Sequence, residues 1–186
     1  MIILTRKERN LPQRRRRAYT FRFSGGFRSG VETANLLKTL AHKYKTDPAI
    51  RETALEIIEN VPSRDQLREV KAIFRWIRDN IRFVPDAYGT EGIQIPTLTL
   101  PHFYSEHGWG QGDCDDQVLL LATMLLSIGI GDIKFRIVTF KPDDNEWKHI
   151  YLMIRIAGNW YAADPIVDDR PFGYEHPHLA QEDITV

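Results

Sequence analysis

Gly112-Asp113-Cys114-Asp115-Asp116-Gln117-Val118-Leu119-Leu120-Leu121-Ala122 sets the only cysteine of a 186-residue chain at the threshold of an apolar helix that runs on to Ile128. A lone cysteine forms no internal disulfide, and a four-cysteine zinc site is excluded. Two readings remain. A sulfur at a helix start lies close to free backbone N–H groups and to the positive end of the helix dipole, which favours thiolate over thiol and makes a nucleophile. Equally, Cys114 continues the stripe Val118, Leu121, Leu125, Ile128, and unpaired cysteine is often a small core residue. Asp113, Asp115 and Asp116 weigh against the first reading, because nearby carboxylates raise a thiol pKa.

Working upstream, residues 85–112 carry Gly89, Gly92, Pro96, Pro101, Gly108, Gly110 and Gly112 with no convincing period. They read as one long loop that delivers the chain to Cys114, and long loops in compact domains often carry function. Three helices precede it. Val31, Ala34, Leu37, Ala41 and Tyr44 mark one face of the first, over about Val31 to Lys45. Asp47 as N-cap and Pro48 at the first helical position open the second. Ser63 with Gln66 three residues on has the form of a capping box for the third, whose stripe is Leu67, Val70, Phe74, Ile77, Ile81. Before these, Tyr19-Thr20-Phe21-Arg22-Phe23 alternates as a strand and stops at Gly25-Gly26.

Downstream, Ile133 to Phe140, Trp147 to Ile156 and Trp160 to Asp164 read as strands, the last two joined by a hairpin turn within Ala157-Gly158-Asn159. The tail from Val167 reads as polar and irregular. Helices first and an antiparallel sheet afterwards predict an α+β fold with the cysteine helix packed on the sheet. The predicted organisation is a basic N-terminal arm with one strand over residues 1–30, a main domain over 31–168, and a C-terminal tail over 169–186.

Hydrophobic residues make up 42% and charged residues 27%, which excludes a disordered chain. Net charge is zero, yet residues 1–30 hold nine Arg or Lys against one Glu. The run Arg14 to Arg17 could meet nucleic acid, but an arm that neutralises the acidic body of its own chain or of a sister subunit explains it as well, and nucleic acid is not the expected partner. Met1-Ile2-Ile3-Leu4 is followed at once by Arg6 and Lys7, too short for a signal peptide, and no run is long enough to span a membrane. One cysteine and no export signal predict a cytoplasmic, reducing location with no membrane partner.

A cysteine nucleophile needs a general base, and the base needs an orienting acceptor. Among the histidines, His42 lies on an amphipathic helix, and His176 and His178 bracket a proline in the tail and look exposed. His102 and His107 with Asp113 lack the tight ligand pairs of structural zinc, so no metal and no cofactor is expected. His149 stands in a patterned strand. Ile150, Leu152, Ile154 and Ile156 take its buried face, and Trp147, His149, Tyr151, Met153 and Arg155 form what reads as a cleft wall. Asp164, on the next strand, is a candidate acceptor for the imidazole N–H. A turn at Gly158-Asn159 would set Asp164 opposite Met153, out of reach of His149. A turn at Ala157-Gly158 would set it opposite Tyr151 and diagonal to His149, with a bulge or a longer turn to close the remaining distance.

The Gly-x-Cys segment opening the apolar helix, the glycine turn Ile128-Gly129-Ile130, His149 in a strand, and Trp160 before Asp164-Pro165 together resemble the transglutaminase-like cysteine protease superfamily. The helix Ile73-Phe74-Arg75-Trp76-Ile77-Arg78-Asp79-Asn80-Ile81-Arg82-Phe83 is similar to one of that family, and the resemblance covers about residues 68–168. The form Gly112-Asp113-Cys114-Asp115-Asp116 most resembles small transglutaminase-like proteins of bacteriophages and prophages. The resemblance implies a papain-like fold, Cys114 as nucleophile, His149 as base and acid, and Asp164 as orienting acid. It implies attack on an amide or ester carbonyl of a protein or peptide, through an acyl-thioester. The Cys114 backbone N–H would be one oxyanion donor, with Trp109 and Gln111 near in sequence as candidates for a second. Animal transglutaminases typically carry glutamine where this chain has Asp113, which argues against their cross-linking specificity and calcium dependence and favours a peptidase or amidase. A phage virion or assembly protein that binds phage structural proteins through the same fold, with little or no catalysis, is the alternative. Host cytoplasm or virion would then be its location.

Overall fold

In the computed structural model, which describes residues 18–21, 26–86, 91–101, 108–166 and 170–186, the chain runs β1 (Ala18–Phe21), α1 (Gly26–Tyr44), α2 (Pro48–Ile58), α3 (Gln66–Asn80), β2 (Ile81–Phe83), β3 (Glu91–Gln94), α4 (Pro96–Thr99), β4 (Gly110–Gly112), α5 (Cys114–Ser127), β5 (Ile133–Thr139), β6 (His149–Ile156), β7 (Asn159–Ala163) and β8 (Ala180–Thr185). The Arg14 to Arg17 run, His102 and His107 lie outside the described residues.

The expected α+β architecture is present, and α5 is its axis. From Asp115 to Leu125 every residue of α5 is buried, so the helix is apolar on all sides and needs cover on all sides. Helices α1, α2, α3 and α4 and strand β6 supply that cover. The helix ends in a Schellman motif: Ile130 N–H donates to Leu125 O, Gly129 N–H to Leu126 O, and Gly129 takes φ +90°.

The sheet order is β7-β6-β5-β8, antiparallel throughout. The hairpin turn falls on Ala157-Gly158, both at positive φ (48° and 85°), and Ile156 pairs with Asn159. Continuing that register beyond Leu152↔Ala163 puts Asp164 across from Tyr151.

Four sequence expectations are corrected. The helix read from Val31 begins at Gly26. The cap of α3 is Asp65, whose carboxylate accepts from Arg68 N–H, and not Ser63 with Gln66; an aspartate immediately before the first helical residue caps it without a return partner. The stretch 85–112 is not one loop. Glu91–Gln94 pairs antiparallel with β1, and Gly110–Gly112 pairs parallel with β2; elements of three or four residues are too short to show a period.

The tail is not irregular either. Ala180–Thr185 adds an edge strand to β5, and the segment before it wraps the opposite sheet edge. Phe172 packs edge-on against Phe74 and stacks with Tyr161 on the core side. Gly173, at φ +91°, donates its N–H to Ala162 O beside β7. Glu175 then accepts from Tyr151 Oη and Arg136 Nη1, each at 2.7 Å, on the other face. That wrap buries Tyr151 and Met153 with Val138 and Ala162 in a small second core, so only the His149 end of this face remains near a cleft. No helix among the described residues is long and apolar enough to cross a membrane.

Candidate active site

The backbone that carries Cys114 is fixed before the helix begins. Helix α3 passes directly into β2, whose Ile81, Arg82 and Phe83 pair with Gly110, Gln111 and Gly112, and Val84 N–H adds a bond of 3.1 Å to Gly112 O. Gly110 has no room for a Cβ, which would collide with Thr99 O and approach Ile81 Cδ1 to 2.6 Å. At Gly112 a Cβ would stand 2.5 Å from Asp116 Cβ. Both glycines therefore let β4 run flush against its neighbours and hand the chain to Asp113.

The three aspartates then divide. Asp113 is the N-cap of α5: its Oδ1 accepts from Asp115 N–H at 3.1 Å and Asp116 N–H at 3.3 Å. Asp116, 2% exposed, turns inward and accepts from both Gln94 N–H and Gln94 Nε2 at 2.7 Å, and Gln94 Nε2 also reaches Gln111 O. Burial pushes the Asp116 carboxyl up to about 6 despite those donors. Asp115 accepts the Cys114 thiol at Oδ1, 3.5 Å away.

This arrangement reverses one expectation. The N–H groups of the first turn are taken up by the Asp113 carboxylate and do not face the sulfur alone. Burial, then the negative charges of Asp115 and Asp113 and the bond to Asp115, hold the Cys114 thiol well above its ordinary range. Each of these effects favours the thiol over the thiolate. Asp113, Cys114 and Asp115 also bring their ligand atoms within 4.8 Å of one another, close enough to contact one cation.

Across from the helix start, β6 and β7 place the other two candidates. His149 Nε2 and Asp164 Oδ2 are 2.6 Å apart, and both side chains are almost fully enclosed. The diagonal geometry of the Ala157-Gly158 register makes this contact without a bulge. Asp164 Oδ1 accepts from Ile166 N–H at 3.4 Å. With Nε2 donating to a carboxylate, the neutral imidazole keeps its lone pair on Nδ1. Phe140 stacks on the His149 ring at 6.3 Å between centroids, and Tyr151 lies at 5.9 Å. His176, expected to be exposed, is half-buried with its ring edge-on to Phe140.

Cys114 and His149 line one cavity of about 270 Å³, together with Asp113, Asp115, Trp147 and, from α1, Ser29 and Thr33. Neither Trp109 nor Gln111 is among the residues that line this cavity. The Trp109 ring lies under the Arg82 guanidinium, 3.2 Å from its central carbon, and Gln111 presents its carbonyl to Gln94. Trp147, which proximity in sequence to Cys114 did not single out, also lines the cavity, two residues before His149, and its Nε1 is buried with no hydrogen-bond acceptor among the described residues. Gly30 makes room for it, since a Cβ there would meet Trp147 Cδ1 at 2.5 Å.

The family model described as Transglutaminase-like superfamily matches residues 51–165, and the chain belongs to that superfamily. A search of curated proteins gives no match. Among solved structures, a "putative cysteine protease" from Cytophaga hutchinsonii is 14% identical over 85% of this chain and 58% of its own, with a TM-score of 0.50. A "putative protease" from Parabacteroides distasonis is 16% identical over 75% of this chain and 27% of its own, with a TM-score of 0.48. LapG of Legionella pneumophila is 16% identical over 75% of this chain and 76% of its own, with a TM-score of 0.41. The chain thus spans 27% of the Parabacteroides distasonis protein's own length and 58% of the Cytophaga hutchinsonii protein's, and at 14% identity the likeness to the latter concerns the fold alone.

Proposed function

We propose that this member of the transglutaminase-like superfamily is a cysteine-dependent acyl-transfer enzyme that hydrolyses amide or ester bonds of proteins or peptides. The observation that carries the reading is the 2.6 Å bond between His149 Nε2 and Asp164 Oδ2, with His149 and Cys114 lining one cavity at the start of α5.

With the thiol favoured over the thiolate, the reaction runs by general-base attack. His149 Nδ1 takes the Sγ proton as sulfur adds to the carbonyl carbon, and Asp164 stabilises the imidazolium that forms. The carbonyl oxygen becomes an oxyanion facing the Cys114 backbone N–H, which at the first helical position has no intrahelical acceptor. Trp147 Nε1, rather than Trp109 or Gln111, is the second donor. The tetrahedral adduct collapses, the carbon–nitrogen or carbon–oxygen bond breaks, and His149 returns the proton to the leaving group. Water, deprotonated by His149, then hydrolyses the thioester and restores the thiol.

Turnover of p-nitrophenyl acetate by the full chain tests this. Cys114→Ala abolishes it, and Trp147→Phe, which keeps the ring and removes the donor, lowers kcat by about tenfold to a hundredfold with KM little changed. A Cys114→Ala protein as active as the parent overturns the proposal.

The second reading is a protein of phage or prophage type that uses the fold to bind structural proteins, with Cys114 inert, and the thiol favoured at Cys114 agrees with such inertness. It predicts no Cys114-dependent turnover of any ester or peptide, and retention of the Cys114→Ala protein by its particle.

A further inference from the structure

A second cleft of about 340 Å³ lies apart from the Cys114 cavity and shares no lining residue with it. Arg78, Ile81, Arg82, Phe83, Gln117, Pro165 and Ile166 line it. Three features define what it would take.

The first is positive charge. Arg78 lies in the last turn of α3 and Arg82 follows in β2, so both cations fall where the helix passes into the strand. The helix dipole favours Arg78 in the last turn, but Arg82 lies beyond the helix end. The Arg82 guanidinium carbon stands 3.2 Å from the centre of the Trp109 ring, the Arg78 guanidinium carbon lies 5.9 Å from the centre of the Phe74 ring, and Arg78 Nε meets the neighbouring Asp79 Oδ1 at 3.2 Å. Two guanidinium forks on one wall suit a planar anion.

The second is an unmet acceptor. Gln117 is 1% exposed; its Nε2 donates to Gly112 O at 3.2 Å, which fixes the amide orientation, and its Oε1 has no donor among the described residues. A buried carbonyl left this way is unfavourable, and a ligand N–H would satisfy it.

The third is apolar surface. Phe83 is 52% exposed, and Ile81, Pro165 and Ile166 continue the same wall.

An anion, an N–H and an apolar group within one small cleft describe the last residue of a polypeptide chain. We propose that this cleft is a binding site for the carboxyl terminus of a polypeptide ending in an apolar residue. The carboxylate lies between Arg78 and Arg82, the terminal amide N–H donates to Gln117 Oε1, and the side chain rests on Phe83 and Ile166. An inorganic phosphate matches the guanidinium pair but offers nothing to the apolar wall.

Calorimetric titration of the full chain carrying Cys114→Ala, which removes any turnover, tests this separately from the catalytic proposal. The probes are acetyl-Ala-Leu as free acid, its C-terminal amide, the analogue with an ester in place of the terminal peptide bond, and inorganic phosphate. The free acid should bind at least about tenfold more tightly than the amide and than the ester analogue. Arg78→Gln and Arg82→Gln should each weaken it by about tenfold with the circular dichroism spectrum unchanged. Equal binding of acid and amide, equal binding of peptide and ester analogue, phosphate binding as tightly as the peptide acid, or no binding of the acid at millimolar concentration would each overturn the assignment.

Discussion

The Cys114 thiol donates its hydrogen bond to Asp115 Oδ1, at 3.5 Å, from the first turn of a helix whose end N–H groups are already taken by Asp113. The carboxylate that receives the proton is also the nearest charge opposing its loss. Asp115→Asn removes that charge while keeping the shape of the side chain. Iodoacetamide alkylation of the parent, followed against pH, should give an apparent pKa above the ordinary ~8.5 of a free cysteine, and the variant should give a lower one. A parent value below 8 would mean that the thiolate is already stabilised at rest.

Asp164→Asn tests the orienting role of the bond to His149. Asparagine fits the site and can still accept through its oxygen, so the melting temperature should move little. If its NH₂ turns toward His149 instead, Nε2 becomes the acceptor, the proton moves to Nδ1 and the base is lost. Ester turnover should fall by about 10²–10⁴-fold at pH 7. A variant with both unchanged turnover and unchanged pH profile would show that Asp164 only fills space.

The buried Asp116 makes stability depend on pH in a definite sense. Its carboxyl, ordinarily at 3.8, is raised to about 6 in the fold, chiefly by burial. A raised acid binds protons more tightly folded than unfolded, so its stabilising contribution is fully present below the unfolded value and is lost as pH rises through about 6. Two-state urea unfolding at several pH values between 4 and 7 should show Asp116→Asn closing the gap in this window, with a difference on the order of 2 kcal/mol. Asp183 and Glu175, lowered by bonds to Arg136 and Tyr151 against their own burial, act in the opposite direction in parent and variant alike and cancel in the difference.

Arg136 ties the tail to the sheet. It meets Asp183 through Nε at 2.7 Å and Nη2 at 2.8 Å, and Glu175 through Nη1 at 2.7 Å. Arg136→Gln breaks the forked pair and leaves Tyr151 and Glu175 without their shared cation. A loss of about 1.5–3 kcal/mol is expected. Cleavage by an endoprotease specific for acidic residues should begin at Glu175 or Glu182 long before the core yields. Cleavage in the core first would contradict the assignment of these bonds as the tail's anchor.

Long elements with a buried periodic face were legible in the sequence: α5 with its cysteine, α2 from Asp47 and Pro48, and the hairpin of β6 and β7. The pairing of His149 with Asp164 was legible only as a choice between two turns, because Gly158 fits either and only the positive φ shared by Ala157 and Gly158 decides. Strands β3, β4 and β8 were not legible. Gly110-Gln111-Gly112 is a strand because Ile81 to Phe83 lies beside it, and Ala180 to Thr185 is a polar edge strand because Arg136 and β5 receive it. The three aspartates around Cys114 had no evident purpose in sequence. Asp113 caps the N–H groups two and three residues on and Asp115 meets the adjacent thiol, both local partners, whereas Asp116 is explained by Gln94, which only the fold brings near. Trp147 had its signal in the two-residue spacing to His149, but nothing in the sequence told that its N–H would be buried without an acceptor.

The central claim is that His149 delivers the Cys114 sulfur to a carbonyl carbon, and the acyl-thioester is its direct trace. Intact-protein and peptide mass spectrometry after rapid mixing with p-nitrophenyl acetate should find one acetyl group on Cys114, appearing with the first equivalent of p-nitrophenol and then hydrolysing. The same mixing with His149→Gln should slow that acetylation by at least about a hundredfold. Acetylation of Cys114 at the same rate with and without His149, or acetyl groups found only on lysines, would contradict the account.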